Sequence, residues 1–122
     1  MLNHICIQGR LVKDPELRNT VNGTPVANFT IACERDRETN GERLADFVEI
    51  VVWNRAAEFA SKYFHKGSMV NVSGRLQSRK WQDRDGNNRI SWEIVAESTY
   101  FCESKKREDP QLAEMEEGDL PF

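Results

Sequence analysis

Apolar side chains recur at every second position in five segments of this chain and at helical spacing in only one. A period of two marks a half-buried strand, so the pattern constrains the chain to a sheet-based domain with a single helix. In residues 4–12, Ile5, Ile7, Gly9 and Leu11 alternate with His4, Cys6, Gln8 and Arg10. After the hairpin signal Asn22-Gly23, a second run sets Ala27, Phe29, Ile31 and Cys33 on one face. The third, from Ala45 to Trp53, is apolar on both faces: Val48, Ile50 and Val52 on one, Phe47, Val51 and Trp53 on the other, with Glu49 among the latter. Residues 54–66 then place Ala56, Phe59, Ala60, Tyr63 and Phe64 at the spacing of an amphipathic helix that Gly67 stops. Strands from Met69 to Gln82 and from Arg89 to Cys102 flank the polar loop 83–88. Asp14-Pro15-Glu16 reads as a turn, and residues 34–43, without an apolar side chain, as a solvated loop or an extended hairpin tip.

Three strands, one helix and two strands is the element order of a five-stranded Greek-key barrel of the OB type. The expected fold is therefore all-β with one helix, over residues 1–105, with Gly9 and Gly74 at the sharp bends such a barrel needs. Residues 106–122 are expected to form a short linker and a disordered acidic tail.

Charge divides the same way. The 122 residues carry 17 Lys+Arg and 20 Asp+Glu, net −3, which on its face argues against a polyanionic partner. All 17 basic residues and 14 acidic ones lie in residues 1–107, net +3, whereas residues 108–122 hold six acidic residues and no basic one, net −6. The longest apolar runs fall far short of the ~20 residues of a membrane-spanning helix, and the opening Met1-Leu2-Asn3-His4 has no export signature, so a cytoplasmic location without membrane contact is expected. Cys6, Cys33 and Cys102 are odd in number and widely spaced, which suits reduced thiols better than a disulfide framework or a metal site. His4 and His65 fall in different elements, away from any nucleophile or carboxylate cluster, and no Gly-rich phosphate loop occurs. Neither catalysis, a metal nor a cofactor is expected.

The residues point instead to single-strand recognition, in which bases stack on exposed rings while Lys or Arg neutralises the adjoining phosphates. Arg79-Lys80-Trp81, beside a hydrophilic loop, is one such unit, and Phe47 and Trp53 share a parity on the third strand. Arg18, Arg35, Arg37, Arg43 and Lys66 are candidate phosphate contacts. Closure of the last hairpin at Gly86-Asn87 sets Trp92 across from Trp81, and closure at Asp85-Gly86 sets it across from Arg79; on either register Trp92 reads as structural. The acidic tail ends on Asp119-Leu120-Pro121-Phe122, whose apolar side chains, stiff proline and carboxylates suit a small apolar pocket rimmed by Lys or Arg.

In ordered succession, Leu2-Asn3, Gly9-Arg10-Leu11, Asp14-Pro15-Glu16-Leu17-Arg18, Asn22-Gly23, Val26-Ala27-Asn28-Phe29-Thr30, Ala45-Asp46-Phe47, Lys66-Gly67-Ser68, Gly74-Arg75-Leu76, Arg79-Lys80-Trp81 and the acidic tip closing on Pro121-Phe122 resemble the bacterial and phage-encoded single-stranded DNA-binding proteins. The resemblance implies an OB-fold core that assembles as a homotetramer and wraps single-stranded DNA without sequence preference. It also implies a tip that recruits replication, recombination and repair proteins. By the same resemblance, Phe47, Trp53 and Trp81 fall where the family stacks bases, and Arg18, Lys66, Arg79 and Lys80 where it contacts phosphates. Arg37 stands where several members carry another stacking Trp, and Glu49 where a basic or neutral residue is common; the linker is shorter than typical and Gly118 interrupts the acidic run. The other readings the residues allow are a protein-interaction barrel of a replication complex and a single-stranded RNA binder, since no clear 2′-hydroxyl discriminator is present.

Overall fold

The computed structural model describes the backbone of residues 1–102 and, among these, the side chains of all but residues 37–39. Along the chain run β1 (Ile5–Leu11), β2 (Glu16–Asn19), β3 (Pro25–Thr39), β4 (Glu42–Trp53), α1 (Asn54–Tyr63), β5 (Met69–Gln82) and β6 (Asn88–Phe101). The strands form one sheet in the order β1-β5-β6-β4-β3-β2, and a further β1–β3 pairing closes it. β1 pairs with β5 through Ile5–Arg10 and passes to β3 at Arg10 and Leu11. Every ladder is antiparallel except β4–β6, where Glu49, Ile50 and Val51 run beside Glu93, Ile94 and Val95. Five strands thus make the closed barrel of the expected OB type, and β2 is added on the flank of β3.

The barrel is filled by the inward parity of each strand. Leu11, Ala27, Phe29, Ile31, Ile50, Val52, Val70, Val72 and Ile94 are buried, with Ala57 and Ala60 of α1 and the following Phe64. Phe64 meets Phe29 edge to face, ring centroids 5.9 Å apart, so the residue after the helix carries it onto the barrel. The helix is shorter than 54–66, ending at Tyr63 because the backbone turns extended at Phe64. Its buried residues are Ala57 and Ala60, while Phe59 and Tyr63, at the amphipathic spacing that predicts packing on the barrel, are 41% and 47% exposed.

Three local features differ from or refine the expectation. β2 follows the Asp14-Pro15 turn and pairs Glu16–Asn19 with Pro25–Asn28 around the expected Asn22-Gly23 hairpin tip. Residues 34–43 are the extended hairpin: β3 and β4 continue to Thr39 and from Glu42, joined by Asn40 and Gly41 at φ of 53° and 79°, the left-handed pair a tight hairpin turn requires. A side chain at Gly74 would run into the carbonyl oxygen of Val95, at the bulge where Glu97 is left unpaired between Ser73↔Ser98 and Gly74↔Ala96. Gly9 is similarly confined, since a Cβ there would lie 2.8 Å from the Ala32 carbonyl oxygen.

Candidate nucleic-acid interface

Residues paired across a ladder share a sheet face, so register maps the outside of the barrel. Arg18, Val26 and Trp53 form one row across β2, β3 and β4. Thr30, Glu49, Glu93 and Gln77 form a second across β3, β4, β6 and β5. Arg10, Ala32 and Phe47 form a third across β1, β3 and β4. The β5–β6 ladder adds Arg79 opposite Ser91 and Trp81 opposite Arg89, at the same parity as Gln77 and Glu93. Phe47, Trp53 and Trp81 therefore stand on one continuous outer face, 69%, 42% and 42% exposed. Because β4 and β6 run parallel, Phe47 lies toward the Trp81 end of that face, and Trp53 lies six residues away beside Arg18, about 20 Å along the strand.

Each ring is held differently. Trp53 is the last residue of β4 and the N-cap of α1, and Asn54 at φ 60° turns the corner in a conformation that asparagine tolerates better than most side chains. Trp81 Nε1 donates to Ser91 Oγ at 2.7 Å, which fixes the indole on the outer face of β5. The adjoining turn is built on Asp83, whose carboxylate accepts from the Asn87 and Asp85 N–H groups at 2.9 and 3.0 Å and from Arg89 Nε at 3.1 Å. The Asn87 N–H first, then the other donors, hold this carboxyl below the ordinary aspartate range. Its support of the turn is in place above the ordinary carboxylate pKa and is lost as pH falls through the lowered value.

The cations are less uniform than their sequence neighbourhood implies. Arg18 shares the row of Trp53, and Arg79 shares the face of Trp81, with its Nε 3.8 Å from Glu93 Oε2. Glu93 is the one buried charged residue among those described, 4% exposed, and accepts from Gln77 Nε2 at 2.9 Å. Lys80 alternates with its neighbours and falls on the opposite face of β5 from Arg79 and Trp81. Lys66 lies on the exposed loop after α1, its N–H bound to Asp14 Oδ1 at 2.8 Å; no register row joins it to the aromatics. Arg35 is committed to a bidentate pair with Asp46 at 2.9 and 3.1 Å, which depresses the Asp46 pKa, and Arg43 pairs with Glu34 at 3.3 Å. The Arg37 side chain and the whole tip, Asp119, Leu120, Pro121 and Phe122, lie outside the described residues. Strand parity also brings Arg10, Arg75 and Arg89 to the outer face, three cations not among the candidate contacts, because which face a residue in a strand takes is fixed by pairing rather than by its chain neighbours.

Carboxylates interrupt this face, and at its centre the exposed Glu49 lies directly beside Glu93 in the parallel ladder. Glu49→Gln is expected to tighten single-strand binding about two- to fivefold at low salt, an advantage that disappears in 1 M salt, where the Debye length is about 3 Å. Titrations at both salt concentrations check it.

Fold and face together define a barrel of the oligomer-binding class, with exposed aromatic rings spread over its outer face. The model of the single-strand binding protein family matches residues 2–102, and the chain belongs to that family. It is 47% identical over 106 residues to the single-stranded DNA-binding protein 2 of Listeria monocytogenes, a match covering 86% of this chain and 66% of that protein. The single-stranded DNA-binding protein of Oceanobacillus iheyensis matches to the same extent. The single-stranded DNA-binding protein 1 of Staphylococcus aureus is 45% identical over 112 residues, 91% of this chain and 72% of its own length. The chain thus spans about two thirds of the length of these relatives. Family membership places it among binding proteins rather than enzymes. Among the described residues no helix is long and apolar enough to cross a membrane.

Proposed function

We propose that this protein binds single-stranded DNA without sequence preference, stacking bases on Phe47, Trp53 and Trp81 while Arg18 and Arg79 offset phosphate charge on the same face. The observation that carries this reading is the convergence of three half-exposed or exposed rings from β4 and β5 on one sheet face. Rings accept any base, so recognition carried by stacking and phosphate contacts brings no sequence preference. Tryptophan emission titrated with a homopyrimidine oligonucleotide is the direct test: saturable quenching that weakens with salt supports the reading, and unchanged emission at low salt overturns it. Lys66, Lys80 and Arg37 are proposed as further phosphate contacts, reached as the strand leaves the central face.

The assembly proposed is a homotetramer. Supporting it, residues Ile5–Gly9 of β1 pair only with β5 among the described residues, leaving one strand edge open beside exposed Leu2, the kind of edge that a second copy completes. The acidic tail serves replication, recombination and repair proteins through Asp119, Leu120, Pro121 and Phe122, in a cytoplasmic, nucleoid-associated setting. With six acidic residues it also competes with DNA for the basic face. Removal of residues 108–122 is therefore expected to tighten DNA binding severalfold at low salt while abolishing partner capture. Oligonucleotide titration of the shortened chain checks the first effect, and pull-down with and without Phe122 the second.

A further inference from the structure

From residue 77 on β5 and back to residue 92 on β6, the two strands pair only with each other. The β4 ladder ends at Glu93, and the last hold of the N-terminal segment on β5 is the Asn3 side chain, bonded to the Leu76 N–H and carbonyl at 3.0 and 2.8 Å. This segment is a two-stranded ribbon standing off the barrel, and both of its faces are open. Trp81 occupies the outer face. The opposite face carries Trp92 across from Ser78, and Lys80 across from Ile90. Trp92 is 61% exposed, more than Trp53 or Trp81, and its cross-strand partner is too small to cover an indole. Diagonal neighbours on one face of a ladder lie within reach of long side chains, so Lys80 flanks the Trp92 ring and completes the pairing of stacking surface and cation that Trp81 and Arg79 make on the other side.

We propose that Trp92, with Lys80, is a fourth stacking platform for single-stranded nucleic acid, on the reverse face of the ribbon. The inference rests on the single-strand reading of the outer face and extends it. A cleft of about 480 Å³ at the ribbon end is lined by Trp81 and Arg89 from the outer face and by Lys80 and Ile90 from the reverse, so it leads around the ribbon edge from the Trp81 ring to the cation that flanks Trp92. Three ladder positions, about 10 Å, separate Trp81 from Trp92 along the ribbon. A strand leaving Trp81 thus passes Arg89 and Lys80 before it reaches Trp92. Lys80, which shares no face with Trp81, serves the second platform.

The test uses the full chain with Trp53→Phe and Trp81→Phe, which leaves Trp92 as the only indole among the original three. Quenching of its emission by an oligo(dT) of about 16 nucleotides, but not by one of about 4, is the expected result, since the longer strand alone passes around the ribbon. In the parent, Trp92→Ala is expected to weaken binding of the longer strand by at least about fivefold, and Trp92→Phe to restore most of it. Absence of Trp92 quenching, while the parent protein is quenched, overturns the proposal and leaves the outer-face reading intact; absence of quenching in the parent overturns that reading itself. A Trp92→Ala protein that sediments as a smaller species with unaltered affinity per barrel also overturns it, because the face then joins copies of the chain. Should Trp92→Ala fail to fold by circular dichroism, the single-indole quenching decides alone.

Discussion

Trp81→Ala weakens binding of a homopyrimidine oligonucleotide by about 5- to 150-fold, the loss expected when one base–ring stack of roughly 1 to 3 kcal/mol is removed. The size of the effect follows from where the ring stands. Trp81 is outside the barrel core, 42% exposed, and its Nε1–H is already satisfied by Ser91, so the indole face is offered to a ligand without a competing role in folding. Truncation therefore acts on binding far more than on stability, where an exposed substitution usually stays within about 0.5 kcal/mol. Anisotropy of a labelled oligonucleotide gives the affinity, and thermal unfolding of the same sample gives the control. Trp81→Phe keeps a ring and is expected to recover most of the loss. Equal affinities of Trp81→Ala and the parent would move the binding role away from the aromatic face and favour a barrel that acts mainly in protein assembly.

Gly74→Val destabilises the fold by about 3 kcal/mol or more, above the usual range for overpacking. The obstacle is backbone: a Cβ at residue 74 collides with the Val95 carbonyl oxygen and sits 2.9 Å from Ala96 Cα, and neither can rotate away as a side chain would. Relief requires β5 and β6 to part at the bulge, which also disturbs the base of the ribbon that carries Trp81. Urea unfolding is expected to show a large fall in midpoint with the slope retained. A midpoint within error of the parent would mean the bulge yields freely. Gly9→Val is the milder companion, because part of what it meets is the Cys33 side chain at 3.1 Å.

The inner and outer sets were legible wherever a strand was buried on one side. Phe29 and Ile31, or Ile50 and Val52, could only face a core, and their parity sent Phe47 and Trp53 outward. What alternation does not report is pairing partner. Trp92 meets Ser78, a register that neither closure of the hairpin at Asp85-Gly86 nor at Gly86-Asn87 produces, because the Asp83-anchored turn holds more residues than a two-residue loop. β2 left no alternation to read beyond its Asn22-Gly23 turn, since Glu16–Asn19 is exposed throughout and a strand without a buried face shows no period of two. Adjacency in the chain also misled: Arg79, Lys80 and Trp81 read as one unit, yet a strand sends Lys80 to the far side. On α1, the two small residues Ala57 and Ala60 allow close approach to the barrel, and the larger Phe59 and Tyr63, which the spacing favoured, form a tilted ring pair 4.9 Å apart at its surface. The acidic tip remains as the chain's own chemistry describes it, beyond the described residues.

The place of β6 in the sheet sets a timetable for the molecule. It is the last of the described strands in chain order, yet it lies between β4 and β5, and β1 waits for residues 69–74 before its Ile5–Arg10 ladder exists. Assembly dominated by such distant pairings is slow compared with that of helical bundles. Until residues 88–101 are in position, Phe47 and Trp53 sit in the β3–β4 ladder, while Trp81, whose register partner is Arg89, has no ladder to hold it on that face. A nascent or proteolysed chain ending before Glu93 carries all three rings but has no common surface on which to use them, so affinity for a strand arrives late in synthesis, with closure of the barrel.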